Sequence, residues 1–274
     1  MRYSKSILDT IGKTPLLKLN KIVAEIPALV FAKVESFNPG NSIKDRMALK
    51  MIENAETNGS LKPGGTIIEA TSRNIEMGLV LAANVRGYQL ICVISDKKAK
   101  EKVAILRAMG AKVIIYRSDV EPTHPDSSFS ISKRLSEETP NSWFINQKDY
   151  ESSFTYYLQT ASEIWEQTEG KITHFVSVVK TGETILGIGK YLRENNPNIK
   201  ILGIDKDDLP TNADFSLIDD LVKVTAEDAL YYQQKLTLVE GIIVDKSSGA
   251  AIKGLLQIKE QFSKEDVIVV LFQD

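Results

Sequence analysis

The stretch QLICVISDKKAKEKVAILRAMGAKVIIY occupies residues 89–116 and decides the fold class. Its opening run, Leu90-Ile91-Cys92-Val93-Ile94, is apolar throughout, as a strand buried on both faces must be. Residues 97–109 then carry apolar side chains at helical spacing. Gly110 follows as a left-handed helix stop, and residues 112–116 return to a strand. Strand, helix, glycine and strand in that order make the repeating unit of a parallel sheet covered by helices.

The same alternation runs outward in both directions. Residues 30–34, 66–69, 174–179, 200–204 and 267–272 read as further strands, several of them apolar throughout. Helical periodicity is predicted over 43–57, 78–86, 154–167, 183–195, 226–240 and 249–262. Asn196-Pro197 ends one of these helices. Residues 121–130, with two prolines and several hydroxyl side chains, are predicted to be a surface loop. Ser247-Ser248-Gly249-Ala250 is expected to cap the helix that follows it.

Composition narrows the function class. The 274 residues carry 34 Lys and Arg against 36 Asp and Glu, a net charge of -2, with the signs interspersed. No basic face marks a nucleic-acid binder, so small molecules or proteins are the expected partners. The single cysteine, Cys92, sits in a buried strand and reads as a core thiol, which rules out a disulfide framework. His124 and His174 lack ligand spacing, so no metal is expected. With no long apolar segment and no leader-like start, the expected location is the cytoplasm, away from the membrane.

Two further stretches identify a family. Ile11-Gly12-Lys13-Thr14-Pro15-Leu16 precedes Lys33-Val34-Glu35-Ser36-Phe37-Asn38-Pro39-Gly40-Asn41-Ser42-Ile43-Lys44-Asp45-Arg46. Together with 97–111, 143–147, Glu163-Ile164-Trp165 and 247–250, they make the whole chain resemble the cysteine synthase (O-acetylserine sulfhydrylase) family of fold-type II pyridoxal-phosphate enzymes. That resemblance implies an α/β, tryptophan synthase β-like architecture of two doubly wound lobes with a cofactor cleft between them. The larger, cofactor-side lobe would comprise 1–35 and 148–274, and the smaller, substrate-side lobe 36–147.

The resemblance also assigns residues. Lys44 becomes the lysine that holds pyridoxal phosphate, and a helix start suits it, because the positive end of the helix dipole favours a nucleophilic amine. The family's substrate loop, Thr-Ser-Gly-Asn-Thr-Gly, corresponds to Thr71-Ser72-Arg73-Asn74-Ile75-Glu76. Thr71 and Ser72 would meet substrate and Asn74 the cofactor ring. The phosphate cup, Gly-Thr-Gly-Gly-Thr, corresponds to Lys180-Thr181-Gly182-Glu183-Thr184, leaving Thr181, Gly182 and Thr184 as phosphate contacts. Gln147 matches a substrate-side glutamine, or is a buried structural amide. Asp274 stands where the family places a serine against the ring nitrogen, and a carboxylate there would favour a protonated ring. Lys44, Asn74 and the 180–184 turn are expected near one another, since strand ends of a doubly wound sheet converge on one crevice.

The departures are concentrated in those loops. Arg73 and Glu76 replace glycines, Ile75 replaces a threonine, and Lys180 and Glu183 replace two cup glycines, whose bare backbone allows close approach to phosphate. Lys180 either pairs with a phosphate or lies in the emptied pocket. The glycine lid that the family places after residues 201–204 has no counterpart in 205–217. Two readings follow. One is a cysteine synthase-like protein without standard β-replacement activity, using its cleft for a small amino acid or for a protein C-terminal tail, as the family does with serine acetyltransferase. The other is a working enzyme that makes or breaks cysteine from serine, O-acetylserine or a relative. The resemblance implies a homodimer in either case.

Overall fold

The structure is a computed structural model, and it describes residues 1, 3–70, 75–98, 100–121, 123–145, 156–180, 182–206 and 215–274. In chain order the elements are β1 (Leu16–Lys18), β2 (Leu29–Val34), α1 (Lys44–Thr57), β3 (Thr66–Glu69), α2 (Glu76–Arg86), β4 (Gln89–Ser95), α3 (Lys100–Ala108), β5 (Lys112–Tyr116), α4 (Ser128–Glu138) and β6 (Ser142–Phe144). They continue with α5 (Leu158–Gln167), β7 (His174–Val179), α6 (Glu183–Asn195), β8 (Lys200–Asp205), β9 (Asp220–Lys223), α7 (Ala226–Glu240), α8 (Lys246–Gln257) and β10 (Val267–Phe272). This is the α/β class that the alternating pattern implied.

The chain forms two compact units, Met1–Ile11 with Lys44–Ser152, and Gly12–Ile43 with Ser153–Asp274. In the first, four strands pair in the order β5-β4-β3-β6, every pairing parallel. Ile67, Ile68, Cys92, Val93 and Ile94 are fully buried, as residues at the centre of a sheet covered on both faces must be. Helices α1 and α2 touch at Gly78, where a Cβ would fall 2.8 Å from the Cβ of Ala48 and 2.9 Å from the Cα of Asp45. Only glycine permits that approach.

In the second unit six strands pair in the order β1-β2-β10-β7-β8-β9, antiparallel only at β1 and β2. Alternate residues of β8 point to opposite faces. Ile204 joins the core formed with α7 and α8, and Ile201 joins the core formed with α5 and α6. The chain steps from β7 to β8 and β9, then returns to place β10 on the other side of β7. The β7/β10 pair is therefore the switch point, whose carboxyl end is the usual ligand position in such sheets.

Three local expectations are corrected. The predicted loop at 121–130 ends early, because Ser127 accepts the Ser130 N–H on its Oγ at 3.2 Å and starts α4. The helix predicted from Gly249 begins at Lys246 instead, with Asp245 as its cap. Asp245 Oδ1 accepts the Ser248 N–H at 3.0 Å and the Ser247 hydroxyl at 2.6 Å, so the serines lie inside the first turn. Helix α2 opens at Glu76, two residues before the predicted start, because a glutamate at a helix N-terminus suits the dipole.

Candidate functional site

In the larger unit a buried polar network fixes the turn that leads into α1. Lys33 on β2 is fully buried, and its Nζ donates to Glu163 Oε2 at 2.7 Å, to the Thr14 carbonyl at 2.7 Å and to Gln167 Oε1 at 3.0 Å. Glu35 accepts from the Thr14 hydroxyl at 2.7 Å and from Asn38 Nδ2 at 2.9 Å, while Asn38 Oδ1 takes the Gly12 N–H at 2.8 Å. A buried charge needs such partners to be tolerated. The sequence motif carrying these residues thus does structural work: it holds residues 38–43 at the carboxyl end of the six-stranded sheet.

There the Ile43 N–H donates to the Gln273 carbonyl at 2.8 Å, and the Ser42 hydroxyl donates to Asp274 Oδ1 at 2.5 Å. Lys180, just past β7, stands 3.9 Å from Asp274 Oδ2. Gln273 reaches back to Ser177 Oγ at 3.0 Å and to the Val178 carbonyl at 3.1 Å. Asp274 also lines an open groove of about 680 Å³ with Leu17, Phe37, Asn41, Ile243 and Val244. Lys44 is the first residue of α1 and half-buried.

The turn from β7 into α6 has Gly182 as its cap, at φ +87°, a left-handed conformation that suits glycine. Thr184 is buried in the first turn. Glu183 is the first helical residue, and its Oε2 is closed to solvent. At the end of neighbouring β8, Asp205 is buried as well. The sequence signal for Asp205 was a carboxylate closing an otherwise apolar parallel strand.

A phosphate ester brings close to two negative charges to such a turn. The described residues place one carboxylate at the start of α6 and a second at the end of β8, so an anion at this turn would meet negative charge from both. Thr71, Ser72, Asn74, Gln147 and Thr181 lie outside the described residues.

In the smaller unit the first residue of α2, Glu76, is fully buried, and its Oε1 lies 2.9 Å from Lys98 Nζ and 3.0 Å from Lys102 Nζ. Burial opposes its charge, but Lys102 and Lys98 hold its carboxyl below the usual carboxylate range. Burial also pushes the Cys92 thiol up, with Glu76 and Glu69 adding to the effect. A thiol so placed is inert, in keeping with a core role. His174 is far from these features in the chain, at the start of β7. Burial lowers its pKa, and its ring meets Phe262 edge-on at 5.2 Å. Among the described residues no group of three His, Cys, Asp or Glu side chains gathers to hold a metal ion, and no helix is long and apolar enough to cross a membrane.

Comparison with known proteins gives a consistent picture. Residues 7–274 match the family model described as pyridoxal-phosphate dependent enzyme. A cystathionine beta-synthase of Apis mellifera is 39% identical over 98% of this chain, which spans 59% of that relative's length. A cysteine synthase B of Pseudomonas aeruginosa is 31% identical over 97% of this chain and 93% of its own. The crystal structure of a hydrogen sulfide-producing enzyme from Fusobacterium nucleatum superposes with a TM-score of 0.89 at 30% identity, covering 100% of this chain and 97% of that one.

Proposed function

Because this chain belongs to the cysteine synthase family of fold-type II pyridoxal-phosphate dependent enzymes, we propose that it is a cysteine synthase-like protein that has given up standard β-replacement and uses its altered site for binding or regulation. The observation that supports this reading is Glu183. Its carboxylate opens α6, with Oε2 closed to solvent, at the turn that corresponds to the family's phosphate cup. A helix start is an anion site because its N–H groups and dipole favour negative charge. Here the protein supplies that charge itself. Two like charges about 4 Å apart at an intermediate dielectric repel by about 4 kcal/mol, enough to remove most of an anion's affinity.

Glu76 supports the same reading in the smaller unit. It opens the helix whose start corresponds to the family's substrate-carboxylate loop, and Lys98 and Lys102 already compensate its charge. An incoming amino-acid carboxylate would have to compete with it. A homodimer, a small amino acid or a protein C-terminal tail as occupant, and a cytoplasmic location complete the proposal.

A second reading keeps pyridoxal phosphate and the chemistry, acting on serine, O-acetylserine or cysteine. It is favoured by Gly182, a glycine retained at the position of one of the cup glycines and held at φ +87°, a left-handed conformation that suits glycine. In that reading Lys44 holds the cofactor. Cysteine formation from O-acetylserine and sulfide, with excess pyridoxal phosphate and a Lys44→Ala control, separates the two. Rates equal to the control are expected; turnover clearly above it would select the second reading.

A further inference from the structure

Asp205 ends β8 and is 5% exposed. Its Oδ1 is closed to solvent and receives no hydrogen bond from the described residues. Its backbone carbonyl is used by the Val224 N–H at 2.9 Å. Lys223, itself 78% exposed, stands 3.9 Å from Oδ2, the other carboxylate oxygen. A buried carboxylate oxygen without a donor is costly, and native proteins rarely keep one unless something binds it.

The strand's alternation aims this side chain. Ile201 packs where Gly189 of α6 leaves room, Gly203 faces Val179 and Ile218, and Ile204 packs on Gly254 of α8. Asp205 therefore lies on the α6 face with Ile201 and Gly203. Its partner across the ladder is Val179, the last residue of β7, from which the chain runs through Lys180 to the left-handed Gly182 and to Glu183. Asp205, with its unsatisfied oxygen, thus lies on the sheet face that α6 covers, and Glu183 is the first residue of that helix.

The chemistry of that pair selects its ligand. An anion would meet two like charges. A metal ion would want three or more donors, and no such group gathers among the described residues. An ammonium group is satisfied by one or two carboxylates and brings three N–H donors in charge-assisted hydrogen bonds. We propose that the corner between the end of β8 and the first turn of α6 binds a protonated primary amine, with Asp205 as the principal acceptor and Glu183 as the second. The inference rests on the reading that this turn no longer takes phosphate.

Calorimetric titration of the full chain, with no pyridoxal phosphate added, tests it. Butylammonium is expected to bind saturably to the wild-type protein, while butanol and inorganic phosphate are not. Asp205→Asn, which keeps the shape, is expected to weaken the amine by about tenfold or more; Glu183→Gln should weaken it less, and Asp228→Asn not at all. Equal heats for butylammonium and butanol, or equal amine affinity in Asp205→Asn and wild type, would overturn the proposal. Should Asp205→Asn fail to fold, the amine and alcohol comparison on the wild type still decides, together with its loss on adding salt. Saturable phosphate heat would instead strike at the functional reading on which this rests, as would cysteine formation above the Lys44→Ala control.

Discussion

The Ser42 hydroxyl donates a 2.5 Å hydrogen bond to Oδ1 of Asp274, which ties the turn before α1 to the chain just past β10. Lys180 approaches the other oxygen at 3.9 Å, so one carboxylate joins three segments of the sheet's carboxyl edge. Asp274→Ala is expected to cost about 1–2 kcal/mol in urea unfolding, the usual worth of a partly buried, charge-assisted hydrogen bond. Asp274→Asn keeps an acceptor for Ser42 and should cost less. Equal losses in the two variants would assign the stability to the ion pair with Lys180 instead.

Glu76 makes stability depend on pH. A carboxyl whose folded-state pKa lies below its unfolded value adds stability that is complete above the unfolded value, 4.5 for glutamate, and is lost as the pH falls through the lower folded value. Glu76→Gln is expected to destabilise the protein at neutral pH by about 2 kcal/mol, below the full cost of breaking a buried pair because Lys98 and Lys102 keep some contact with water. The gap between wild type and variant should close on acidification below 4.5. Denaturant titrations at several pH values measure it. A gap that stays constant down to the acid limit would show that the charge on Glu76 is not what stabilises the start of α2.

Helices α7 and α8 meet at Gly249, where a Cβ would fall 2.1 Å from the Ala229 carbonyl oxygen and 2.5 Å from the Gln233 nitrogen. Both are backbone atoms of a helix and cannot swing aside. Gly249→Ala should therefore cost about 3 kcal/mol, the upper end of overpacking penalties. At Gly254 the nearest atom is the Cδ1 end of the Ile204 side chain, at 2.4 Å, which can change rotamer. Gly254→Ala is expected to cost clearly less. Thermal melts of the two variants give the comparison, and the reverse order would mean that α7 shifts more easily than the Ile204 side chain.

The scaffold was legible because its strands are buried on both faces. Runs such as 90–94 and 267–272 have no polar alternative, and Gly110, at φ +94°, and Asn196 stop their helices as read. The short edge strands β1, β6 and β9 were not assigned, since three or four residues carry too little pattern to distinguish from loop. Helix α4 was hidden by its serines, which resemble a loop until Ser127 is seen to cap.

The candidate site was legible in part. Glu76 and Glu183 stand out in the sequence as carboxylates where glycine is expected, and each proves to be the first residue of its helix. Their surroundings depend on residues distant in sequence. Nothing in residues 98–102 announces that Lys98 and Lys102 converge on Glu76, because that pairing needs α2 and the segment leading into α3 packed together. The role of Asp274 likewise depends on a turn 232 positions away.

The most direct measurement of the central claim is an absorbance titration of the purified chain with pyridoxal phosphate, run beside Lys44→Ala and beside a Lys180→Gly, Glu183→Gly double variant. No visible absorbance dependent on Lys44 is expected in the wild type, and its appearance is expected in the double variant, where a carboxylate has left the start of α6 and the backbone can approach a phosphate closely. A saturable band in the wild type, lost in Lys44→Ala, would contradict it.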